Sequence, residues 1–110
     1  MKFRTEIIDS NVAVIHGDGR LNMVSAPTLR EVVGDVIAAG QNRVVVNLSG
    51  VEFMDSSGLG SLVGCLKRAR QAGGDLRISA PTAQVAMVLQ LSNLDRVLIT
   101  VESAHTAYTD

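Results

Sequence analysis

The chain has 110 residues, of which 46% are hydrophobic and only 3% aromatic. That length fits one domain with a real core, and the composition excludes disorder and requires a core of Val, Leu, Ile, Ala and Met. A net charge of −1 gives no electrostatic reason to expect nucleic acid or an anionic membrane as partner.

Residues 3–8 and 11–16 read as two short strands around Asp9-Ser10, a hairpin-like opening. Gly17-Asp18-Gly19 is expected to end the second strand. In "SAPTLREVVGDVIAAG", Leu29, Val32, Val33, Val36 and Ile37 recur at helical spacing and form one apolar face. Ser25 is the expected N-cap, Pro27 lies in the first turn, and Gly40 is the stop. "RVVVNLSG" is a continuous apolar run, the pattern of a central strand covered on both faces or nearly so. Leu59, Leu62, Val63 and Leu66 then resume the helical spacing until Gly73-Gly74 breaks it. "DLRIS" is the next strand, Pro81 opens a helix to about Leu91, "RVLITV" is a last strand, and residues 102–108 form a short terminal helix. The order ββαβαβαβα predicts an α/β fold in a single domain, residues 1–110. Its sheet is mixed and mostly parallel, with four to five strands and about four helices.

No apolar run approaches the ~20 residues of a membrane span, and no secretory apolar region follows Met1. Cys65, the only cysteine, sits among Leu62, Val63 and Leu66 and is expected to be a buried structural thiol. These features fit a soluble protein in a reducing, cytoplasmic setting, without direct membrane insertion.

Enzyme chemistry finds little support. Gly17-Asp18-Gly19 lacks the third glycine of a dinucleotide fingerprint. Gly58, Gly60 and Gly64 have a related spacing, but Asp55 stands where a phosphate would sit. Ser56 and Ser57 lack the G-x-S-x-G elbow, His16 and His105 are expected at the surface, and the carboxylates are scattered singly. No catalytic residue, cofactor or metal is therefore expected. Lys67, Arg68, Arg70 and Arg77 are the one basic concentration, expected as a solvated helix face.

The stretch "VEFMDSSGLGSLVG" asks for more. Asp55 or Ser56 reads as a helix N-cap. Capping explains neither the second serine nor three glycines, each of which costs a helix interior about 1 kcal/mol. Small residues at Ser57, Gly58, Ser61 and Gly64 would leave one side of the first turns bare, a surface onto which another protein's backbone can pack. The residues alone separate neither interaction surface from plain packing nor Ser56 from Ser57.

"GRLNMVSAPTLREVV" followed by "RVVVNLSGVEFMDSSGLGSLVGCLKRARQAGGDLRI" resembles the STAS domain family, in particular its stand-alone bacterial anti-sigma factor antagonists. The likeness runs from about residue 12 to 101, and its most specific part is Phe53-Met54-Asp55-Ser56-Ser57-Gly58-Leu59-Gly60. The resemblance implies a binding protein of transcription regulation that engages an anti-sigma factor, itself a serine kinase, and so frees a sigma factor. It implies phosphorylation of Ser56, reversal by a PP2C-type phosphatase, and a partner surface of Asp55, Ser57, Gly58, Leu59, Gly60, Leu21 and Asn22. The family's G-x-L-D turn appears here as Gly19-Arg20-Leu21-Asn22, with Asn in place of Asp. The same resemblance admits an alternative: a non-phosphorylated STAS subunit of a lipid-transport or stress-signalling assembly. It leaves the oligomeric state open.

Overall fold

The computed structural model describes residues 1–8 and 11–108; the Asp9-Ser10 turn expected from the sequence lies outside them. Strands β1 (Lys2–Ile8) and β2 (Val12–Leu21) lead into helix α1 (Ala26–Ala38), strand β3 (Arg43–Met54) and helix α2 (Ser56–Gln71). Strand β4 (Asp75–Ser79), helix α3 (Ala83–Leu91) and the short strand β5 (Thr100–Val101) follow. The sheet order is β1-β2-β3-β4-β5, antiparallel between β1 and β2 and parallel from β2 onward. The mixed, mostly parallel sheet of the sequence reading is thus present with five strands.

Alternation along the strands divides the core. Ile15, Val44, Val46, Leu76 and Ile78 face the helices, where Leu29, Val33, Leu62, Leu66, Val85 and Leu89 meet them in one cluster. Val12, Val14 and Val45 face the other way and are covered by Ala104, Ala107 and Tyr108 of the C-terminal segment. Tyr108 secures that cover, its hydroxyl lying 2.7 Å from the Val44 carbonyl and 2.9 Å from that of Asp75. So β3 is covered on both faces, as its unbroken apolar run requires.

Both long helices end where glycine permits. At α1, Gln41 N donates to Val36 O and Gly40 N to Ile37 O, with Gly40 at φ +97°. At α2, Gly74 N donates to Ala69 O and Gly73 N to Arg70 O, with Gly73 at φ +84°. Each is a Schellman stop that satisfies carbonyls a helix end leaves unpaired.

Several boundaries differ from the sequence expectation. Gly17-Asp18-Gly19 does not end β2: the strand absorbs two register irregularities against β3 and runs on to Leu21. Likewise β3 continues past Gly50 to Met54. Helix α3 starts at Ala83 behind Thr82, because Pro81 precedes the cap. The "RVLITV" run forms only the two residues of β5; Leu98 alone is buried, while Val97 and Ile99 are exposed. Among the described residues the expected fourth helix shrinks to a single 3₁₀ turn, Ala104–Thr106, leaving three α-helices. Seven residues are too few for a helix to hold by itself, and Ala104, Ala107 and Tyr108 are committed to covering Val12, Val14 and Val45.

Candidate functional site

Strands β2 and β3 finish side by side, with Leu21 opposite Met54. The chain leaves both ends into helices, and these departures are stitched together. Asp55 N donates to Leu21 O at 3.3 Å, and the Asp55 side chain caps α2 by accepting from Gly58 N at 2.8 Å. Gly58 lies so close to β2 that an added Cβ would sit 2.2 Å from Leu21 O. Glycine here serves close approach of helix to strand.

The loop from β2 to α1 is equally determined. Asn22 Oδ1 accepts from Val24 N at 3.0 Å and Ser25 N at 3.2 Å. Ser25 sits at the N-cap but does not cap α1; its hydroxyl donates to Arg20 O at 2.7 Å and accepts from Asn22 N at 3.0 Å. The loop is therefore held from within, and it carries Met23 and Val24 outward, 71% and 82% exposed. Two neighbouring apolar side chains in water, on a rigid loop, are the kind of feature that marks contact surfaces. Sequence reading passed over them because they lie between polar turn residues with no periodicity.

The family-derived residues fall into two groups. Ser56 is exposed at the first position of α2, and no hydrogen bond holds its hydroxyl among the described residues; Ser57 is half-buried. Asp55 and Asn22 are half-buried and engaged in the backbone bonds above, and Gly60 is exposed. By contrast Leu21, Gly58 and Leu59 are buried, so the structure places them beneath the surface as its support. The bare side of α2 also differs from the expected one. Ser61 is fully buried, donating to Gly58 O at 2.6 Å, whereas a Cβ on Gly60 or Gly64 would meet nothing within 4 Å. The open stripe is therefore Ser56-Gly60-Gly64, a spacing of four residues along one helix face.

Helix α3 buttresses the site from behind. Gln84 closes a two-point amide clamp on Met54: Oε1 accepts from Met54 N at 2.8 Å and Nε2 donates to Met54 O at 3.1 Å. Thr82 Oγ1 donates to Val51 O at 2.8 Å. Nothing in local sequence marks Gln84, whose partner is 30 residues away. On β2 and β3, the Arg20 guanidinium stacks 4.4 Å from the Phe53 ring centroid, where cation–π attraction orders it.

The remaining candidates lie elsewhere. His16 is half-buried and lies in mid-strand rather than at a strand end: Nε2 lies 2.9 Å from Glu6 Oε1, and Asn47 Nδ2 faces Nδ1 at 3.2 Å. Asn47 Oδ1 accepts from Ser49 N, which turns the amide Nδ2 toward the His16 ring. His16 and His105 line one cavity of about 270 Å³ on the sheet face away from the helices, with Ser79; neither Ser56 nor Ser57 reaches it. The basic concentration is dispersed: Arg70 and Arg77 pair with Asp75 at 3.2 and 3.4 Å, and Arg77 also stacks on Tyr108. Cys65 is fully buried, as expected, and burial pushes its thiol up to about 11. Among the described residues, no cluster of three His, Cys, Asp or Glu is placed to hold a metal ion. None of the described helices is long and apolar enough to cross a membrane.

These features define a small α/β domain that presents a serine-bearing helix start where its two central strands end. The STAS domain family model matches residues 2–107, and the chain belongs to that family. It is 34% identical over 97 residues to a Thermotoga maritima protein provisionally named an anti-sigma factor antagonist, covering 87% of this chain and 85% of that one. An anti-sigma-B factor antagonist of Staphylococcus aureus is 33% identical over 76 residues, covering 69% of this chain and 70% of the relative. A Thermotoga maritima crystal structure superposes with a TM-score of 0.87 at 31% identity, over 97% of this chain and 92% of its own.

Proposed function

We propose that the chain is an anti-sigma factor antagonist: it binds an anti-sigma factor that is also a serine kinase, releases a sigma factor, and is switched off by phosphorylation of Ser56. It acts in the cytoplasm as a binding protein rather than a catalyst, and a PP2C-type phosphatase returns it to the binding form. The observation that carries this reading is the exposure of Ser56, unbonded among the described residues, beside a neighbour that already caps the helix. Because Asp55 does the capping, the Ser56 hydroxyl is free to be presented to a partner.

The geometry also supports the switch. A phosphate adds about −1.5 to −2 charges at pH 7. At the start of α2 the helix dipole receives that charge, so the domain keeps its fold. In a closed interface the same group would be desolvated next to Asp55 and would hold Met23 and Val24 off the partner. Modification thus changes association while leaving stability nearly untouched.

Incubation with ATP and the anti-sigma kinases of the source organism, read by mass spectrometry, tests the reading. The expected result is one phosphate on Ser56, absent in Ser56→Ala and retained in Ser57→Ala, and loss of kinase binding once it is added. Modification at Ser57 instead, or unchanged affinity after modification, would overturn it. An unmodified chain across all the kinases would favour a constitutive STAS subunit of a larger assembly.

A further inference from the structure

Strand β1 is the sheet's edge: it pairs with β2, and no strand lies on its other side among the described residues. The outward backbone groups of this seven-residue strand have no strand partner among the described residues, and the strand is long enough to template another. The side chains divide cleanly. Phe3 packs on the helix-side core and Thr5 and Ile7 line a groove with Val32 and Val36 of α1. Arg4 stands opposite His16 and Glu6 opposite Val14, on the face away from the helices.

We propose that β1 is a homodimer interface, two copies pairing antiparallel about a two-fold axis at Thr5. In this register Arg4 faces Glu6 of the partner subunit, and by symmetry Glu6 faces the partner subunit's Arg4. On the helix side, Phe3 faces Ile7 of the partner subunit, and the two Thr5 side chains face each other. Opposite charges and apolar pairs directly across an antiparallel ladder are each stabilising. The nearest registers that keep like faces together set Arg4 or Glu6 against its own copy, where like charges repel. Intermediate registers lay the charged face against the apolar one. The register with Arg4 against its own copy also sets Lys2 opposite the partner subunit's Glu6, but keeps the Arg4 repulsion. The Thr5 register pairs Arg4 with the partner subunit's Glu6 and has no like-charge contact.

The groups are available for it. Among the described residues Arg4 has no hydrogen bond or ion pair, and Glu6 gives only Oε1 to His16, leaving its second oxygen to accept from a guanidinium. Ile7 is 51% exposed on the rim of the groove of about 390 Å³ between β1 and α1. That groove also holds Gln41, whose Oε1 is buried without a hydrogen-bond partner among the described residues. A second copy would cover Ile7 and extend the sheet to ten strands with both helix layers on one side. The contact is small, so the dimer is weak and concentration-dependent. It uses β1, whereas the helix start at Ser56 follows β3, so pairing and partner docking engage different elements.

Sedimentation velocity from tens of micromolar to about a millimolar tests the pairing. The wild-type chain is expected to dimerise over that range. Arg4→Glu or Glu6→Arg alone should weaken the dimer about tenfold, and the double exchange should restore it. Thr5→Cys gives a second readout that tolerates a poorly folding charge variant. Cys65 is buried, so the introduced thiols are the accessible ones, and this register brings them within disulfide reach on mild oxidation. A chain that stays monomeric throughout, a dimer indifferent to both charge reversals, or the absence of a Thr5→Cys crosslink in a dimer would each overturn the proposal.

Discussion

Gly58 and the Leu21 carbonyl are packed so closely that a single added methyl at Gly58 would lie 2.2 Å from the oxygen. Backbone cannot yield as the end of a flexible side chain does, so Gly58→Ala should destabilise the fold by about 2–3 kcal/mol in urea denaturation. Gly60→Ala, two residues on with open space around it, should stabilise by about 0.5–1 kcal/mol. If Gly60 lies in the partner surface, the same change should weaken kinase binding. A Gly58→Ala variant as stable as wild type would show that this approach is not tight.

Asp55 and Ser56 are adjacent but should separate cleanly. Asp55→Ala removes the oxygen that accepts from Gly58 N and should cost about 1 kcal/mol. Ser56→Ala removes a hydroxyl without a protein partner among the described residues and should leave the urea midpoint within experimental scatter. Ser56→Asp should keep the midpoint yet lower partner affinity, read by calorimetry.

Asn22→Asp tests the family difference at the β2–α1 loop. A carboxylate oxygen can accept from Val24 N and Ser25 N as the amide oxygen does, so the loop should hold its shape. Negative charge before α1 should add about 0.3–1 kcal/mol at low salt. The change should therefore appear in partner choice or affinity, with stability equal or raised; a large loss of stability would contradict the bonding described.

Gln84→Leu deletes both halves of the clamp on Met54 and should cost about 1–3 kcal/mol. Gln84→Glu keeps the acceptor and loses the donor, so it should fall between. Hydrogen exchange at Met54 N should accelerate in the leucine variant, while exchange in α1 stays as it was.

Cys65 makes a pH prediction. Its folded pKa is raised, chiefly by loss of hydration and against the attraction of Arg30 and Arg68, to about 11. The unfolded chain thus releases this proton first, so the contribution is complete below about pH 8.5 and is lost as pH climbs toward 11. Stability should fall over that window by an amount on the order of 3 kcal/mol, and Cys65→Ala should flatten the slope while costing core packing. Ellman's reagent should react with the native chain only as fast as it unfolds.

Periodicity and punctuation made most of this architecture legible. The helical spacing of Leu29, Val33 and Ile37, the unbroken valines of β3, and Gly40 and Gly73 as stops all depend on neighbours a few residues apart. Local chemistry also narrowed the cap to Asp55 or Ser56, because a cap bonds two or three residues ahead, and the structure gives it to Asp55. What needed the tertiary structure involves partners far along the chain. Gly58 is a contact with β2, Gln84 a clamp on β3, and His16 a ring met by side chains of both neighbouring strands; none shows in its own segment. Burial likewise distinguished Ser56 from Ser57, which share a residue type and differ by about 100° around the helix. Sequence by itself determined which segments become helix or strand as far as Leu91, since that follows from spacing along the chain; beyond it the expected strand and helix shrank to Thr100–Val101 and the turn Ala104–Thr106. Only the folded arrangement decided which faces are covered and which remain open, since covering depends on what the rest of the chain packs against them.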